Sequence, residues 1–192
     1  MNQADPAELG AGSPRPPPAV EIPFIDRLRR CVDERQADGQ GLALLLVDCG
    51  LIGRVDAGWG YQVGDAVRAR IVSSLSEEVL RPGDFIGEFG RDELACVLSV
   101  IEGPQIALLA AEKLLRTMNA PVWLGDEEIY AFPSIGIAAF QGQQGDAGSL
   151  LRQAKSACVA ASGLAGHSAL YVAGQDSGEG RLVQESRLRW SI

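Results

Sequence analysis

Two adjacent acids, Asp92 and Glu93, follow Gly90 within residues 84–97, where two apolar runs flank an acidic centre. This pattern predicts a β-hairpin with Gly90 at the bend, because glycine tolerates a positive φ. Successive strand residues point to opposite faces, so only one of the two acids can face a given site. A cation, or a nucleotide phosphate with its magnesium, would suit that acid if a second carboxylate converges on it. The alternative is an acidic surface hairpin that binds nothing.

Asp48 is the candidate for the second carboxylate. It ends a run of six apolar residues, 42–47, which glycines bound and which predicts a central strand buried on both faces of a sheet. Functional groups often emerge where such a strand ends. An aspartate in this place is equally suited to cap the helix that follows.

The overall composition excludes several classes of function. The chain of 192 residues carries a net charge of −8, which argues against a nucleic-acid partner because duplex binding depends on Lys and Arg. A single histidine, His167, leaves little support for histidine-rich metal sites or for Ser-His-Asp hydrolysis. The size and apolar content suit one folded domain with tails.

The cysteines and the absence of targeting signals indicate the compartment. The four cysteines are isolated from one another, which is typical of buried thiols in a reducing compartment and not of a zinc site or a disulfide set: Cys31, Cys49, Cys96 and Cys158. The first 20 residues lack the basic start and apolar core of a signal peptide, and no apolar run is long enough to span a membrane. We therefore expect a cytoplasmic chain with no membrane partner.

The rest of the chain supplies the elements that must position the acids. Apolar residues spaced along one helix face predict helices, and short apolar or alternating runs predict strands. Helices are expected over residues 23–36, 51–60, 63–79, 103–118 and 146–162, and strands over 42–47, 84–100, 122–130, 132–140 and 168–172. The mixture predicts an α+β, or mixed α/β, fold with a central, mostly antiparallel sheet of about five strands flanked by helices.

The composition changes at both ends of this domain. Residues 1–21 are rich in proline, glycine and alanine, which predicts a flexible leader. Residues 22–173 are expected to form the folded domain. Residues 174–192 predict a linker that continues from residue 181 as a helix-like tail.

In this order the pieces resemble the GGDEF domain of the diguanylate cyclase family over residues 22–173, with a degenerate signature. Five segments match that family in type and spacing: the strand that ends in Asp48, Val63-Gly64-Asp65, Arg81-Pro82-Gly83-Asp84, Gly90-Arg91-Asp92-Glu93-Leu94 and Ser134-Ile135-Gly136-Ile137-Ala138. The resemblance implies a nucleotide-cyclase-like fold. It also implies the joining of two GTP molecules into cyclic di-GMP by a transient homodimer, in which each subunit binds one GTP.

The resemblance assigns roles to the strand-end residues. Asp48 and Asp92, together with the backbone carbonyl of Cys49, match the family's ligands for Mg²⁺. Such an ion activates an attacking hydroxyl and neutralises charge on a transferring phosphoryl group. Glu93 matches a base-like catalytic glutamate.

The resemblance also implies a region that binds the GTP substrate. Asp56 and Asp65 match positions that read guanine, and Gly90 and Arg91 stand where the family's two glycines let the substrate lie against bare backbone.

Arg81 and Asp84 match the family's inhibitory site for cyclic di-GMP. In that site the arginine contacts phosphates or base edges and the aspartate bonds a guanine. The alternative for this pair is a turn that ends a helix, with an incidental salt bridge.

Three departures from the family pattern bear on activity. Arg91 replaces the second glycine, Asp56 replaces an asparagine that helps to read guanine, and Ser162 replaces a phosphate-binding lysine. We therefore expect a catalytically inactive or weak domain that binds GTP or cyclic di-GMP as a regulatory or interaction module. The alternatives are an active diguanylate cyclase and a ligand-free dimerisation module. The tail is similar to the helix that joins many family members to an EAL phosphodiesterase domain, so the expected protein partners are a second copy or an EAL domain.

Overall fold

The computed structural model describes residues 23–142, 145–172 and 181–183. The helices are α1 (Phe24–Asp38), α2 (Ile52–Trp59), α3 (Tyr61–Glu78), α4 (Pro104–Met118) and α5 (Ala147–Ala161). The strands are β1 (Gly41–Asp48), β2 (Phe85–Phe89), β3 (Glu93–Ile101), β4 (Val122–Leu124), β5 (Glu127–Ile129), β6 (Ser134–Gln141), β7 (Ser168–Val172) and β8 (Arg181–Val183). Within these residues, no helix has both the length and the apolar character needed to cross a lipid bilayer.

Six strands form one sheet in the order β2-β3-β1-β6-β7-β8. β6 and β7 run parallel, and the other neighbouring pairs are antiparallel. β4 and β5 form a separate hairpin. The predicted α+β fold with a mostly antiparallel sheet is therefore confirmed, and so is the hairpin of β2 and β3, with Gly90 at a φ of 70° in its turn.

The tail differs from the prediction where the structure describes it. Residues 181–183 were expected to be helical, but they form β8, which pairs with β7 in the antiparallel direction. The edge of β7 offers unpaired N–H and C=O groups, and this short segment satisfies its own backbone groups there. The predicted leader, residues 1–21, and the rest of the predicted tail, residues 184–192, lie outside the described residues.

The sheet is covered on both faces because β1 is apolar on both. One set of β1 side chains packs with α2, α3 and α4: Ala43, Leu45 and Val47. The alternate set packs with α1 and α5: Leu42, Leu44 and Leu46. The end of β1 is therefore held from both sides, which makes it a rigid support for Asp48.

Gly136 allows α5 to approach β6 closely, as the strand pattern predicts. A Cβ at this position would lie 2.0 Å from the Ala154 carbonyl oxygen and 2.2 Å from the Cys158 nitrogen. Both are backbone atoms of a buried helix, so neither can move aside cheaply. The contact sets the distance between α5 and the strand next to β1.

We expect Gly136→Ala to lower the free energy of unfolding by about 3 kcal/mol or more, because the added methyl group meets fixed backbone. Gly58→Ala is the matched control: Gly58 is exposed in α2 with open space around it, and this change is expected to stabilise the protein by about 0.5–1 kcal/mol. Urea unfolding of both variants measures the difference. Equal stabilities would contradict the close approach.

Candidate functional site

The ends of β1 and β3 bring together Asp48, Asp92 and Glu93, which we call the strand-end acids. Asp48, the last residue of β1, lies directly opposite Glu93, the first residue of β3. The Cys49 N–H donates a hydrogen bond of 2.7 Å to the Asp92 carbonyl. All of the predicted metal ligands therefore lie at one end of the sheet, where Asp48 shares the face of α5 with Glu93, whereas Asp92, in the turn before β3, reaches the first turn of α2.

The carboxylates of Asp48 and Asp92 both lie against the loop that joins β1 to α2. Asp48 accepts a hydrogen bond of 3.0 Å from the Gly50 N–H, and Asp92 accepts one of 3.1 Å from the Gly53 N–H. Gly53 belongs to the first turn of α2, where unpaired N–H groups and the helix dipole favour a negative charge. The second oxygen of each carboxylate accepts no hydrogen bond from a described residue.

Asp48 does not cap the following helix, so that alternative is wrong. The residue before α2 is Leu51, and its side chain makes no capping bond. The carboxylate at this helix terminus comes from Asp92, which is 39 residues away in sequence. Among the residues that the structure describes, the Asp48 carboxylate accepts a hydrogen bond only from the Gly50 N–H, within the loop.

These residues fit Mg²⁺ only in combination with phosphate oxygens. In the part of the chain that the structure describes, no three or more His, Cys, Asp or Glu side chains form a group able to hold a metal ion. Magnesium commonly binds through one or two carboxylates and takes its other ligands from water and substrate phosphates. Asp48, Asp92 and the Cys49 carbonyl suit that mode of binding.

The Cys49 side chain is not a reactive group. Burial, reinforced by the nearby carboxylates of Asp48 and Asp92, raises the pKa of the Cys49 thiol to about 12. A thiol with this pKa stays protonated at neutral pH, and protonated thiols are poor metal ligands. Only its backbone is suited to a metal.

Glu93 is held by a partner that the sequence pattern did not identify. The Lys155 ammonium, on α5, forms an ion pair with the Glu93 carboxylate. That contact raises the pKa of Lys155. Ser162, where the family keeps a lysine, lies at the C-terminus of α5 and donates its hydroxyl to the Val159 carbonyl at 2.8 Å.

The Arg91 side chain lies between the two residues predicted to read guanine. Its Nε and one terminal nitrogen bond the two oxygens of Asp56, each at 2.5 Å, and its other terminal nitrogen bonds Asp65. The guanidinium also bonds the Tyr61 carbonyl at 3.3 Å and lies 5.3 Å from the centre of the Tyr61 ring. We call Arg91, Asp56, Asp65 and Tyr61 the Arg91 cluster.

The charges of the Arg91 cluster support one another. The Asp56 side chain is 9% exposed and that of Arg91 is 34% exposed, so a bidentate pair is partly shielded from water. Hydrogen bonding to Arg91 lowers the pKa of the Asp56 carboxyl group. The carboxylate therefore stays ionised and keeps its partner across the neutral range.

Two further residues position the cluster, and sequence analysis did not identify either role. A Cβ at Gly64 would lie 1.9 Å from an Asp56 oxygen and 2.9 Å from an Arg91 nitrogen, so only glycine leaves room for the pair. Arg68, on α3, donates a 3.0 Å hydrogen bond to the Arg91 carbonyl and forms a 3.1 Å ion pair with Glu88. Arg68 is buried, and it attaches the hairpin turn to α3.

Asp84 has a structural role in the turn before β2. One carboxylate oxygen accepts bonds from the Ser99 N–H at 2.8 Å and the Ser99 hydroxyl at 3.2 Å. The other accepts the Arg81 N–H at 3.0 Å. The alternative of an Arg81–Asp84 salt bridge is therefore wrong, because the aspartate bonds the backbone of Arg81 and not its guanidinium.

The Arg81 guanidinium remains available to a ligand. It makes no hydrogen bond or ion pair with any described residue, and Arg81 lines a groove of about 270 Å³ between α3, β3 and α4. Val100 and Leu109 line this groove, with 49% and 58% of their surfaces exposed. Arg81 and Asp84 precede β2, whereas Arg91 follows it, so the two regions are separated by the length of a five-residue strand, about 16 Å.

We expect the wild type to be more stable than Asp56→Asn at neutral pH, and the difference to shrink as the pH falls below 3.8, the ordinary pKa of aspartate. A lowered pKa in the folded state stabilises the protein above the unfolded-state pKa, and this contribution is lost as the pH falls through the folded-state value. Urea unfolding across the acid range measures it. Asp126→Asn, in the exposed turn between β4 and β5, is the control and should show no such trend. A constant difference between wild type and Asp56→Asn would contradict the ion pair.

Comparisons with known proteins agree with the fold. The diguanylate cyclase TpbB of Pseudomonas aeruginosa is 27% identical over 135 residues, which are 70% of this chain and 31% of TpbB. The diguanylate cyclase DgcP of the same species is 32% identical over 124 residues, which are 62% of this chain and 18% of DgcP. This chain therefore spans less than a third of the length of either relative. The crystal structure of the TpbB GGDEF domain matches with a TM-score of 0.66 at 27% identity, over 72% of this chain and 86% of that one.

The family assignment rests on most of the described chain. Residues 23–164 match the model of the family described as diguanylate cyclase, GGDEF domain. The match contains the ends of β1 and β3, the Arg91 cluster and the Arg81 turn. The chain therefore belongs to the diguanylate cyclase GGDEF domain family.

Proposed function

We propose that this chain is a degenerate GGDEF domain of cyclic di-GMP signalling, which binds a guanine nucleotide as a regulatory module and does not synthesise cyclic di-GMP at a substantial rate. The observation that carries the proposal is the Arg91 guanidinium held between Asp56 and Asp65. The proposal places the domain in the cytoplasm, in keeping with four cysteines that are free and buried.

The Arg91 cluster competes directly with a guanine base. The edge of guanine presents N–H donors, and a carboxylate binds such donors well. The guanidinium of Arg91 presents the same type of donor to Asp56 and Asp65. A GTP molecule that used these acceptors would have to displace a charged, bidentate partner, which a neutral base does poorly.

The strand-end acids are the part of the family's site that would still function under this proposal. Asp48, Asp92 and the Cys49 carbonyl would hold Mg²⁺ together with the phosphates of a nucleotide. The bound ion would neutralise phosphate charge and polarise an attacking hydroxyl. Glu93 is engaged by Lys155, and this ion pair would have to rearrange before the carboxylate could approach a substrate. Weak nucleotide binding needs only some of these groups, whereas turnover needs all of them together.

Arg81 is the group best suited to bind cyclic di-GMP. It lines an open groove, and an arginine fork pairs with phosphate oxygens or with a base edge. Asp84 contributes by shaping the turn, since both of its carboxylate oxygens accept hydrogen bonds from the protein. We propose that a second copy of the domain, or an EAL domain in a longer chain, receives the regulatory signal.

An active diguanylate cyclase is the second candidate. The presence of both strand-end aspartates favours it, because Asp48 and Asp92 each keep an oxygen for a ligand. The relatives TpbB and DgcP bear the name diguanylate cyclase. In this reading, nucleotide binding would open the Arg91 cluster.

We expect wild-type protein with GTP and Mg²⁺ to form little cyclic di-GMP, and Asp56→Asn/Arg91→Gly to bind GTP at least about tenfold more tightly, because the guanine-reading positions become accessible. Titration calorimetry measures the affinity and chromatography measures the product. Arg91→Gly alone should show a smaller gain and lower stability, because it leaves the Asp56 carboxylate without its cation.

Three results would decide against this account. Product formation by wild type at a rate that Asp92→Ala abolishes would establish the active cyclase. No gain in GTP affinity in the double variant, with the fold confirmed by circular dichroism, would show that Arg91 is not the obstruction. Absence of any heat with GTP, GDP or cyclic di-GMP would favour the ligand-free dimerisation module.

We expect Arg81→Ala to weaken cyclic di-GMP binding by about tenfold or more, since it removes a charge-assisted contact. The fold should be unaffected because the Arg81 side chain bonds no described residue. Arg30→Ala, which removes an exposed arginine from α1, is the matched control. Equal affinities in the Arg81 and Arg30 variants would exclude Arg81 from the binding site.

A further inference from the structure

Lys155 brings a positive charge to the strand-end acids. Its ammonium pairs with Glu93, whose side chain is 26% exposed, while the Lys155 side chain is 52% exposed. The chain contains only two lysines, Lys155 and Lys113. Lys113 lies on α4, where it bonds the Glu78 carbonyl, so Lys155 is the lysine at this end of the sheet.

Asp48 also lies near enough to Lys155 for their opposite charges to interact. Asp48 and Glu93 are directly opposite on neighbouring antiparallel strands, so their side chains share one face of the sheet, and Cβ atoms in such pairs are about 5 Å apart. The same face is covered by α5, which carries Lys155. Glu93 is the main cause of the raised pKa of Lys155, and Asp48 acts in the same direction.

We propose that Lys155 is an internal counter-cation that competes with magnesium for the strand-end acids. The inference rests on the proposed function, which takes Asp48 and Asp92 as the metal ligands. A divalent ion bound there would lie near the ammonium that pairs with Glu93, and like charges repel even in a hydrated site. Lys155 therefore lowers the affinity of the nucleotide-free protein for divalent cations.

The chemistry of lysine suits this role. Its ammonium sits on a flexible stem with three donors, and about half of the side chain reaches solvent, so it can leave Glu93 without disturbing the core. A half-exposed ion pair contributes little to folding, so its removal should leave the domain folded. When nucleotide phosphates bring Mg²⁺ to the acids, the added negative charge offsets the repulsion. Divalent binding would in this way depend on the nucleotide.

The test measures Mn²⁺ binding to the full chain without nucleotide, from the electron paramagnetic resonance signal of the free ion. We expect the Mn²⁺ dissociation constant of Lys155→Met to be about threefold to tenfold lower than that of wild type, because one nearby unit charge is removed. Lys113→Met, which removes the other lysine, should match wild type. Asp48→Asn in the Lys155→Met background should abolish the gain.

The outcomes separate this inference from the proposed function. If Asp48→Asn weakens Mn²⁺ binding to wild type but Lys155→Met binds no more tightly than wild type, the metal ligands stand and the role of Lys155 is wrong. An equal gain in Lys113→Met would assign the effect to net charge and would also overturn it. If Mn²⁺ binds neither wild type nor Lys155→Met without nucleotide, the role of Lys155 is wrong, whereas the metal ligands are excluded only if Asp48→Asn also leaves the affinity for Mn²⁺ in the presence of GTP unchanged.

Discussion

The ion pair between Arg91 and Asp56 is the interaction on which the arrangement of the site depends. Arg91 comes from the turn between β2 and β3, Asp56 from α2 and Asp65 from α3, so one guanidinium ties three elements together. Arg68 fixes the same turn through the Arg91 carbonyl. Side chains of the protein thus hold these three elements together.

The replacements at Arg91 and Asp56 are best understood as one change. With an asparagine at position 56, Arg91 would lose the bidentate carboxylate acceptor and its negative charge. An aspartate beside a glycine would leave a carboxylate, 9% exposed in this structure, without its cation. Each replacement is therefore favourable only in the presence of the other. Gly64 belongs to the same unit, because a larger residue would push the pair apart.

Local patterns predicted most of the fold, and long-range contacts account for what they missed. The apolar run of β1 and the β2–β3 hairpin depend on residues near one another in sequence, and both are confirmed. The glycine inside β6 indicates a close approach, which is also confirmed, but the identity of the neighbour, α5, follows from packing. β8 was not predicted, because three residues carry too little pattern and its partner is the edge of β7.

The side-chain partners in the site also depend on long-range contacts that local patterns could not predict. The types of residue at the strand ends could be read directly, but the pairing of Glu93 with Lys155 spans 62 residues. The pairing of Arg91 with Asp56 spans 35 residues. Such contacts follow from the packing of α2, α3 and α5 on the sheet. A sequence signal did exist for one of them, since an arginine in place of glycine requires a nearby acid wherever it is partly buried.

The two ends of β2 can be altered independently, because each end is held by its own contacts. The Arg91 cluster lies beyond one end and the Arg81 turn before the other, separated by a strand about 16 Å long. Asp84 anchors its end through Ser99 on β3, without help from the cluster. A change that blocks nucleotide entry at the hairpin turn therefore leaves the arginine at the other end in place. Under the proposed function, loss of synthesis and retention of cyclic di-GMP binding are compatible in one domain because different ends of the same strand would support them.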